Sequence, residues 1–386
     1  MPEKKPLILT VNSGSSSLKL VLFDHSGQVQ AQWLVERLCG ANAQAVDAAG
    51  HKKPLPYADH QHALSAFCQH FGVDIAALTA LIHRVVHGGA QFTNPIELTA
   101  QNRQKLAELD AIAPLHNPPA RGLIENLAKD YPTLVQFACF DTTFHSTLPP
   151  EARTYALPKA ETEAHQIRRY GFHGLSIAWA LSALASTLNK PQTEINAIVC
   201  HLGSGASLTA IKAGASIDTS MGFSPLGGLM MATRPGDLDP EIVHLLARRY
   251  SDEELTNLLN HRAGLYGLCG LTDMREIHQK RPENPAAELA FAVFVKRIRH
   301  FLGAYLLELS HIDALVFTGG IGENDPHTRS AVLSGLERFG IKLDAQKNQI
   351  QSGEIAALHT ADSDIGIYRI ASNEARQMFN DIQPLL

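Results

Sequence analysis

The sequence predicts an α/β fold built from two related domains. The main observation is a pair of segments of one design, Leu7–Phe23 near the start of the chain and Ala197–Ile211 in its second half. Each runs from an apolar stretch through a Gly/Ser turn into a second apolar stretch, which is the pattern of a β-hairpin. Because the design occurs twice, we expect two similar halves with a ligand cleft between them.

The glycine-rich turns indicate the class of ligand. Without Cβ atoms, the turn at Gly203–Gly205 lets backbone N–H groups close on an anion, so a phosphate group is the predicted occupant. A single Gly/Ser hairpin is more often a plain surface turn, but a pair of them favours phosphate. The sequence therefore predicts a nucleotide that is held from both sides.

Composition limits the classes of function. The chain has 386 residues, of which 45% are hydrophobic and 18% charged, as expected for a globular enzyme of two domains. Its net charge of −5 provides no basic field for nucleic acid or an anionic membrane, so we expect small-molecule partners. Five scattered cysteines without a CxxC pair indicate reduced thiols. No apolar stretch suits a signal peptide or a membrane span, which makes the cytoplasm the expected compartment.

In the first half, the chemistry is expected at the ends of strands. Leu81–Ala90 is an apolar strand that carries Arg84 and breaks at His87 and two glycines. An arginine inside an apolar strand must bind an anion or bear a large desolvation cost, so Arg84 is predicted to bind an anion. The strand Leu134–Phe140 ends at Asp141, which is predicted to organise magnesium or an arginine, the alternative being a helix cap.

Other segments are expected to be structural. His60–Phe71 has the spacing of an amphipathic helix with its histidines on a solvated face. Ala41–Asp59 is small, polar and contains proline, which is typical of a surface excursion. Asn117 is predicted to cap the helix that follows it, since two prolines come next. Pro285–Ser310 is predicted to be a long apolar helix, packed under a sheet or at a subunit contact.

The second half places cationic side chains near its hairpin. Arg168–Gly174 puts His173 directly before an apolar helix, where the positive helix N-terminus favours anions. Ile217–Pro240 has no clear period and is predicted to be a long ordered loop with Arg234 as its strong cation. Ala314–Asn324 runs from an apolar strand into three glycines, so we expect its backbone to lie close to a nucleotide.

Seven segments, in order, carry a resemblance to a known family. They are NSGSSSLK from Asn12, HRVVHGG from His83, APLHNPP from Ala113, FDTTFH from Phe140, RRYGFHG from Arg168, HLGSGAS from His201 and FTGGIGEN from Phe317. Together they resemble the acetate kinases of the actin, hexokinase and Hsp70 ATPase superfamily. The resemblance implies an α/β, two-domain actin-like ATPase fold with duplicated ribonuclease-H-like cores and an interdomain cleft. It implies an N-terminal domain of residues 1–148, closed by the C-terminal segment 372–386, and a nucleotide-binding domain of residues 149–371.

The resemblance also implies an activity. It is the reversible, Mg²⁺-dependent transfer of the γ-phosphoryl group of ATP to acetate, which gives acetyl phosphate and ADP. Mn²⁺ is expected to substitute for Mg²⁺, and the family is usually a homodimer through its second domain. Acetate is ionised near neutral pH and needs no general base, so the expected mechanism is direct in-line transfer in a positive field.

Site residues follow by position from the same resemblance. The catalytic residues are Asp141, His173 and Arg234, and the Mg²⁺ ligands are Asn12 and Glu374. The acetate-binding residues are Arg84, Val86, Leu115, His116, Phe172 and Pro225. The nucleotide-binding residues are Lys19, His201, Leu202, Gly203, Ser204, Gly205, Asp273, Met274, Arg275, Gly320, Ile321, Gly322, Glu323 and Asn324, of which Lys19 also matches a substrate-binding cation.

Several positions depart from the family pattern, and two alternatives to acetate kinase remain. Ser204 stands where asparagine is usual, Gly227 replaces glutamate, Ala232 replaces glycine and Pro235 replaces serine, while Glu374 is followed by alanine where a second glutamate is common. These exchanges leave the nucleotide or alternative phosphoryl donor open. The nearer alternative is a propionate or butyrate kinase, although bulk at Val86 favours acetate. The other is a catalytically silent nucleotide-binding scaffold, which would not need the cluster of Arg84, Asp141, His173 and Arg234.

Overall fold

The computed structural model describes residues 6–350 and 352–386. The strands are β1 Leu7–Ser13, β2 Ser17–Asp24, β3 Val29–Glu36, β4 Gln44–Asp47, β5 Lys52–Pro54, β6 Ala80–Val85, β7 Ile96–Glu97, β8 Gln136–Phe140, β9 Ala197–Leu202, β10 Ala206–Lys212, β11 Ala215–Thr219, β12 Ala314–Thr318, β13 Ile355–Ala357 and β14 Gly366–Ile370. The helices are α1 His60–Phe71, α2 Ala100–Glu108, α3 Asn117–Asp130, α4 Pro150–Arg153, α5 Lys159–Ala164, α6 Gly174–Leu188, α7 Pro240–Ala247, α8 Asp252–His261, α9 Gly264–Cys269, α10 Met274–Lys280, α11 Pro285–Glu308, α12 Gly319–Asn324, α13 Pro326–Leu333 and α14 Glu374–Ile382.

Two compact units make up the chain. The first unit is Met1–Thr143 with Asn373–Leu386, and the second unit is Phe144–Ser372. The first unit holds a sheet in the order β5-β4-β3-β2-β1-β6-β8-β7, and the second holds a sheet in the order β11-β10-β9-β12-β14-β13. The limits derived from the sequence, 148/149 and 371/372, stay a prediction.

The two sheets repeat one arrangement of five strands. In the first unit β3, β2 and β1 are antiparallel neighbours, and β6 and β8 continue the sheet in parallel to β1. In the second unit β11, β10 and β9 are antiparallel neighbours, and β12 and β14 continue in parallel to β9. The duplicated core predicted from the twin hairpins is therefore confirmed, because each hairpin forms two neighbouring antiparallel strands of its own sheet.

Burial explains why these segments become strands. All residues of β8 and β12 are buried, as expected for strands with both faces covered in an α/β fold. In the first unit α1 buries Leu64 and Phe67 in the same core as Trp33 of β3. In the second unit α6 buries Ile177 and Leu181 against β9 and β12. The helix predicted from Pro285 is confirmed as α11 and contributes buried Phe291, Phe294 and others on one face. Over the described residues, none of the helices combines the length and the apolar character that crossing a bilayer requires.

Several local predictions need correction. The segment 41–59 is more than a surface excursion, because β4 and β5 within it extend the first sheet beyond β3 by two antiparallel strands, with β5 at the edge. Its residues are polar because edge strands have few neighbours to bury against, and all three residues of β5 are exposed. The three glycines after β12 lie in a short helix, α12, an element that the sequence did not indicate. On α1, His60 does not only face solvent, since its Nε2 lies 2.7 Å from the carbonyl oxygen of Gly14.

Candidate active site

One row of the first sheet carries three of the predicted polar residues. Asn12 on β1 lies directly opposite Lys19 on β2 and Arg84 on β6. Directly paired residues point to the same face of a sheet, so these three side chains share one face. Lys19 also lines a cavity of about 220 Å³ together with Glu36 and Asp47. Strand register alone therefore gathers residues that are far apart in the sequence.

Arg84 is the centre of a hydrogen-bond network in the first unit. Its Nε donates to Asp141 Oδ1 at 2.9 Å, its Nη2 donates to Asp141 Oδ2 at 2.5 Å, and its Nη1 donates to Asn12 Oδ1 at 3.0 Å. Asn12 Nδ2 in turn donates to Glu374 Oε2 at 2.7 Å. That carboxylate also lies 3.9 Å from Arg84 Nε. The network therefore joins β1, β6, the residue after β8 and the first residue of α14.

The network keeps the Arg84 guanidinium charged and fixes its plane. The Asp141 side chain is 1% exposed and that of Arg84 is 17% exposed. Burial alone would lower the pKa of Arg84, but the charges of Asp141 and Glu374 and the hydrogen bonds to Asp141 outweigh it and raise this pKa above its ordinary value. Two parallel N–H···O bonds also set the orientation of the guanidinium. Asp141 thus contacts an arginine, one of the two partners predicted for it.

The segment after β6 is anchored by Asn117. Its Oδ1 accepts from the backbone N–H of His87 at 3.1 Å, and its Nδ2 donates to the carbonyl oxygen of His87 at 2.9 Å. The prediction that Asn117 caps α3 is wrong, because α3 begins at Asn117 and His116 occupies the N-cap position. The buried amide of Asn117 instead satisfies backbone groups that β6 leaves unpaired where the strand ends. Val86 therefore lies between two restrained neighbours.

The residues predicted to take the acetate methyl group belong to both units. Val86 and Leu115 lie in the first unit, where Leu115 is 40% exposed. Phe172 and Pro225 lie in the second unit, where Phe172 is 1% exposed. All four are apolar, which suits a methyl group, and their role in binding stays a prediction.

His173 is held beside the glycine hairpin of the second unit. It occupies the N-cap position of α6, and its Nδ1 lies 2.9 Å from Ser207 Oγ on β10. Its ring stacks on that of His201 with 4.2 Å between centroids, and His201 Nδ1 lies 2.9 Å from Ser176 Oγ. A Cβ atom at Gly205 would lie only 3.0 Å from His173 Nε2, so glycine leaves the room that brings the imidazole to the hairpin turn.

Arg234 lies on a loop whose backbone is fixed by its own hydrogen bonds. The Arg234 carbonyl accepts from the N–H of Met231 at 3.0 Å, and Thr233 Oγ1 donates to the carbonyl of Asn260 at 2.7 Å. The Arg234 side chain reaches the carbonyl oxygen of Pro225, to which Nη1 donates at 3.3 Å. The long ordered loop predicted around Arg234 is confirmed for the part that follows β11.

Two segments predicted to contact the nucleotide are linked within the second unit. Asp273 is the N-cap of α10 and pairs with Arg275, whose side chain is 88% exposed. Along the same helix, His278 Nε2 lies 2.7 Å from Oδ2 of Asp325, the residue that follows α12. This bond connects the helix that starts at the first segment to the helix formed by the second. A Cβ atom at Gly320 would meet nothing within 4 Å, so the surface beside α12 is open there.

The polar side chains of α12 form hydrogen bonds with backbone groups of the protein. Glu323 Oε1 accepts from the N–H of Gly319 at 3.0 Å and from the N–H of Ser372 at 2.9 Å. Asn324 Nδ2 donates to the carbonyl of Gly320 at 2.9 Å. These contacts shape the helix, so we expect the backbone of this segment, more than its carboxylate, to meet a nucleotide.

Comparison with known families agrees with this geometry. The model of the acetokinase family matches residues 7–379 of the chain. The chain belongs to the acetokinase family. An acetate kinase of Clavibacter michiganensis subsp. michiganensis is 43% identical over 382 residues, which are 96% of each chain. An acetate kinase of Sulfurovum sp. is 39% identical and covers 98% of each chain.

Solved structures agree with this assignment to the acetokinase family. A propionate kinase from Francisella tularensis has a TM-score of 0.89 at 38% identity and covers 97% of this chain and 98% of its own. The acetate kinase of Porphyromonas gingivalis also has a TM-score of 0.89, at 33% identity, and covers 98% of this chain and 99% of its own. The predicted actin-like ATPase fold is confirmed, and the chain is a phosphotransferase.

Two departures from the acetokinase-family pattern contact each other. The N–H of Ala232 donates to the carbonyl oxygen of Ser204 at 3.1 Å, which ties the Arg234 loop to the hairpin turn. The turn itself is closed by the N–H of Gly203, which donates to the carbonyl of Gly205 at 2.9 Å. Both bonds use main-chain atoms only. The connection between loop and turn therefore does not depend on which side chains stand at positions 204 and 232.

Residues that support the predicted ones were missed in the sequence. Ser207 and Ser176 hold the two stacked histidines, and each interrupts an apolar run without any local motif. Arg329 on α13 is fully buried, and its Nη1 donates to the carbonyls of Gly322 and Glu323 at 2.7 and 3.0 Å. It thus satisfies carbonyls at the end of α12. The only signal was a polar residue in an apolar setting, which does not identify its partner.

Proposed function

We propose that this chain catalyses the reversible transfer of the γ-phosphoryl group of ATP to acetate, which yields acetyl phosphate and ADP. The proposal takes the acceptor from the acetate kinases that are 38–43% identical to the chain. The observation that carries it is the arrangement around His173, a histidine whose Nε2 faces a glycine hairpin suited to phosphate. Such a donor beside a phosphate turn can stabilise charge that develops on a transferring phosphoryl group.

The first unit would bind the acceptor. The Arg84 guanidinium, oriented by Asp141, would hold the acetate carboxylate, and Val86 with Leu115 would contribute apolar contacts to its methyl group. Acetate is ionised near neutral pH, so no side chain has to remove a proton from it. Asp141 already accepts two hydrogen bonds from Arg84, which suits an orienting role better than that of a base.

The second unit would bind the donor. The turn His201–Gly205 would hold the phosphates of ATP through backbone N–H groups, and Asp273–Arg275 with Gly320–Asn324 would contact the nucleoside. His173 and Arg234 would stabilise the phosphoryl group as it leaves ADP, since phosphoryl transfer depends mainly on positioning and on stabilising negative charge. The attack is expected to be direct, without a phosphorylated side chain.

Asn12 and Glu374 are the residues that would hold Mg²⁺. They offer an amide oxygen and a carboxylate, and Mg²⁺ prefers such hard donors, binding one or two carboxylates together with water and substrate phosphates. Among the residues that the structure describes, no group of three or more His, Cys, Asp or Glu side chains forms a complete metal cage. The small oxygen set therefore fits an ion that arrives with ATP, where it neutralises phosphate charge. Mn²⁺ prefers similar oxygen donors.

Trapping of the acyl phosphate as a hydroxamate tests the reaction and its acceptor. With ATP and Mg²⁺, we expect the highest kcat/KM for acetate and weaker activity with propionate. A methylene group changes binding in an apolar pocket by only about 1–3 kcal/mol, so discrimination of about 10- to 200-fold is expected. The measurement is the initial rate of hydroxamate formation with acetate, propionate and butyrate. Absence of acyl hydroxamate with all three acids and with ATP, GTP and pyrophosphate as donors would refute the proposal.

A propionate kinase is the second candidate, because the Francisella tularensis structure with that title is 38% identical. The substitution Val86→Ala distinguishes an acetate kinase from a propionate kinase, because it enlarges the predicted methyl site. In an acetate kinase, this variant should raise the propionate-to-acetate ratio of kcat/KM, whereas an enzyme already adapted to propionate should show little change. A wild-type preference for propionate would decide for the second candidate.

We also propose a homodimer through the second unit. Ile242 and Leu245 on α7, and Leu238 just before this helix, are 37–49% exposed, and none of the residues of α7 is buried. Exposed apolar stripes of this kind mark interaction surfaces. Light scattering should give twice the mass of the chain, and Ile242→Glu should lower it if α7 takes part. A monomeric wild-type protein would exclude the dimer.

The five cysteines of the chain are free, which supports the cytoplasm as the compartment of this protein, because reduced thiols persist there.

A further inference from the structure

The backbone of His173 has an uncommon conformation. Its φ is 63°, in the left-handed region that few non-glycine residues adopt, although histidine does so more often than most. Such a conformation is strained and persists only where the surrounding structure enforces it. At this N-cap position of α6, the conformation places the imidazole beside Ser207 Oγ and the hairpin turn. Some neighbour must therefore hold the preceding peptide group.

His145 contacts that peptide group. Its ring is 1% exposed, with Nε2 at 2.9 Å from the carbonyl oxygen of Phe172 and Nδ1 at 2.9 Å from Ser216 Oγ. A carbonyl oxygen can only accept, so Nε2 carries the proton and Nδ1 accepts from the Ser216 hydroxyl. Burial lowers the pKa of His145 to about 4, which keeps the ring neutral and preserves this tautomer at neutral pH. Both ring nitrogens are thus occupied in one defined state.

The Phe172 carbonyl and the His173 N–H belong to one planar peptide group. A hydrogen bond to that carbonyl therefore restrains the rotation that sets φ of His173. Gly171 makes the contact sterically feasible: its φ is 73°, and a Cβ atom there would lie 2.6 Å from both His145 Cγ and Thr219 Cγ2. The chain thus has a glycine where the buried imidazole approaches the backbone.

We propose that His145 is a positioning residue that sets the direction of the His173 imidazole through the Phe172 carbonyl. The inference rests on the proposed function, since it concerns the same phosphoryl-transfer site. His145 itself does not touch the reacting groups. It fixes the backbone from which His173 reaches the hairpin.

Two substitutions separate the hydrogen bond from the packing of the ring. His145→Leu removes the Nε2–H donor and fills similar space, so we expect kcat to fall about 30-fold, as a small misplacement of a catalytic group can cost up to about 100-fold. KM for acetate and ATP should change less than about threefold, because neither substrate contacts His145. His145→Gln places an amide nitrogen where Nε2 lies and should restore most of kcat, whereas the shorter His145→Asn should not.

A double-mutant cycle with His173→Ala is the decisive measurement. If His145 acts through His173, adding His145→Leu to His173→Ala should lower kcat by less than about twofold. Loss of the same factor in both backgrounds would overturn the inference, and so would equal kcat values for His145→Gln and His145→Asn. The comparison of these two amides also serves if His145→Leu does not fold.

His359→Leu is the matched control. His359 is a half-buried histidine of the second unit whose Nδ1 accepts from the N–H of Ile367 at 3.0 Å and whose ring packs against that of Tyr368. Its replacement removes a histidine hydrogen bond elsewhere in the same unit and should leave kcat within about twofold. An inactive wild-type protein would overturn the proposed function and this inference together. An active protein with multiplicative effects in the cycle would overturn only this inference.

Discussion

Replacing Arg234 with alanine is expected to lower kcat for acetyl phosphate formation by about 10³-fold. Arginines that stabilise the transferring phosphoryl group contribute about 10³ to 10⁵ in rate in related chemistry. The Arg234 backbone is fixed by the Met231 N–H bond and by neighbouring loop contacts, which do not use its side chain. The protein should therefore stay folded, with its melting temperature changed little and its affinity for ATP reduced less than kcat.

The measurement combines the hydroxamate rate with thermal unfolding and calorimetric titration of ATP. Arg338→Ala is the matched control, because Arg338 is an exposed arginine of the same unit that stacks on the Phe339 ring, with 4.7 Å from its guanidinium carbon to the ring centroid. This variant should retain the wild-type rate. If Arg234→Ala kept more than about a tenth of kcat, Arg234 would not be the group that stabilises the transition state.

The duplicated fold could be predicted because its signal is local and repeated. An apolar run, a Gly/Ser turn and another apolar run lie within a short stretch, and the two copies open equivalent sheets. Arg84 and Asp141 were predicted for a related reason, since a charged residue in or directly after an apolar strand must have a specific partner. That the two are partners of each other emerges only from the parallel pairing of β6 with β8.

The remaining features depend on contacts that no local pattern encodes. Asn117 has the sequence context of a helix cap, yet its amide pairs with the backbone of His87, thirty residues away. Likewise, the segment 41–59 forms strands because the exposed edge of β3 offers hydrogen-bond partners, not because of its own β propensity. His145 belongs to a segment that the resemblance highlights, but its contact with Phe172 follows from the tertiary structure alone.

The pairing of Arg84 with Asp141 predicts a stability pattern that is independent of activity. Arg84→Met leaves the Asp141 carboxylate, 1% exposed, without its guanidinium, and removal of one member of a buried ion pair costs about 3–5 kcal/mol. The double variant Arg84→Met with Asp141→Asn removes both charges. We expect it to be more stable than Arg84→Met alone, because the buried Asp141 carboxylate, the charge that loses its closest cation in Arg84→Met, is then removed as well. Thermal unfolding of the two variants and the wild type measures this difference.

Unlike stability, activity is not expected to recover when both charges are removed. Measuring the two properties together therefore distinguishes the orienting role of Asp141 from its role in stability. Asp141→Asn keeps one acceptor oxygen for Arg84 but turns an NH₂ group toward its second N–H, so the plane of the guanidinium is no longer fixed. We expect kcat to fall by about 10²-fold or more in Asp141→Asn, and to remain low in the double variant even as its stability recovers. Near-normal turnover of Asp141→Asn would show that the bidentate bond serves folding alone. Low turnover of Asp141→Asn that stays folded would instead show that Asp141 serves the reaction through Arg84, since this single variant keeps the guanidinium and loses only its fixed direction.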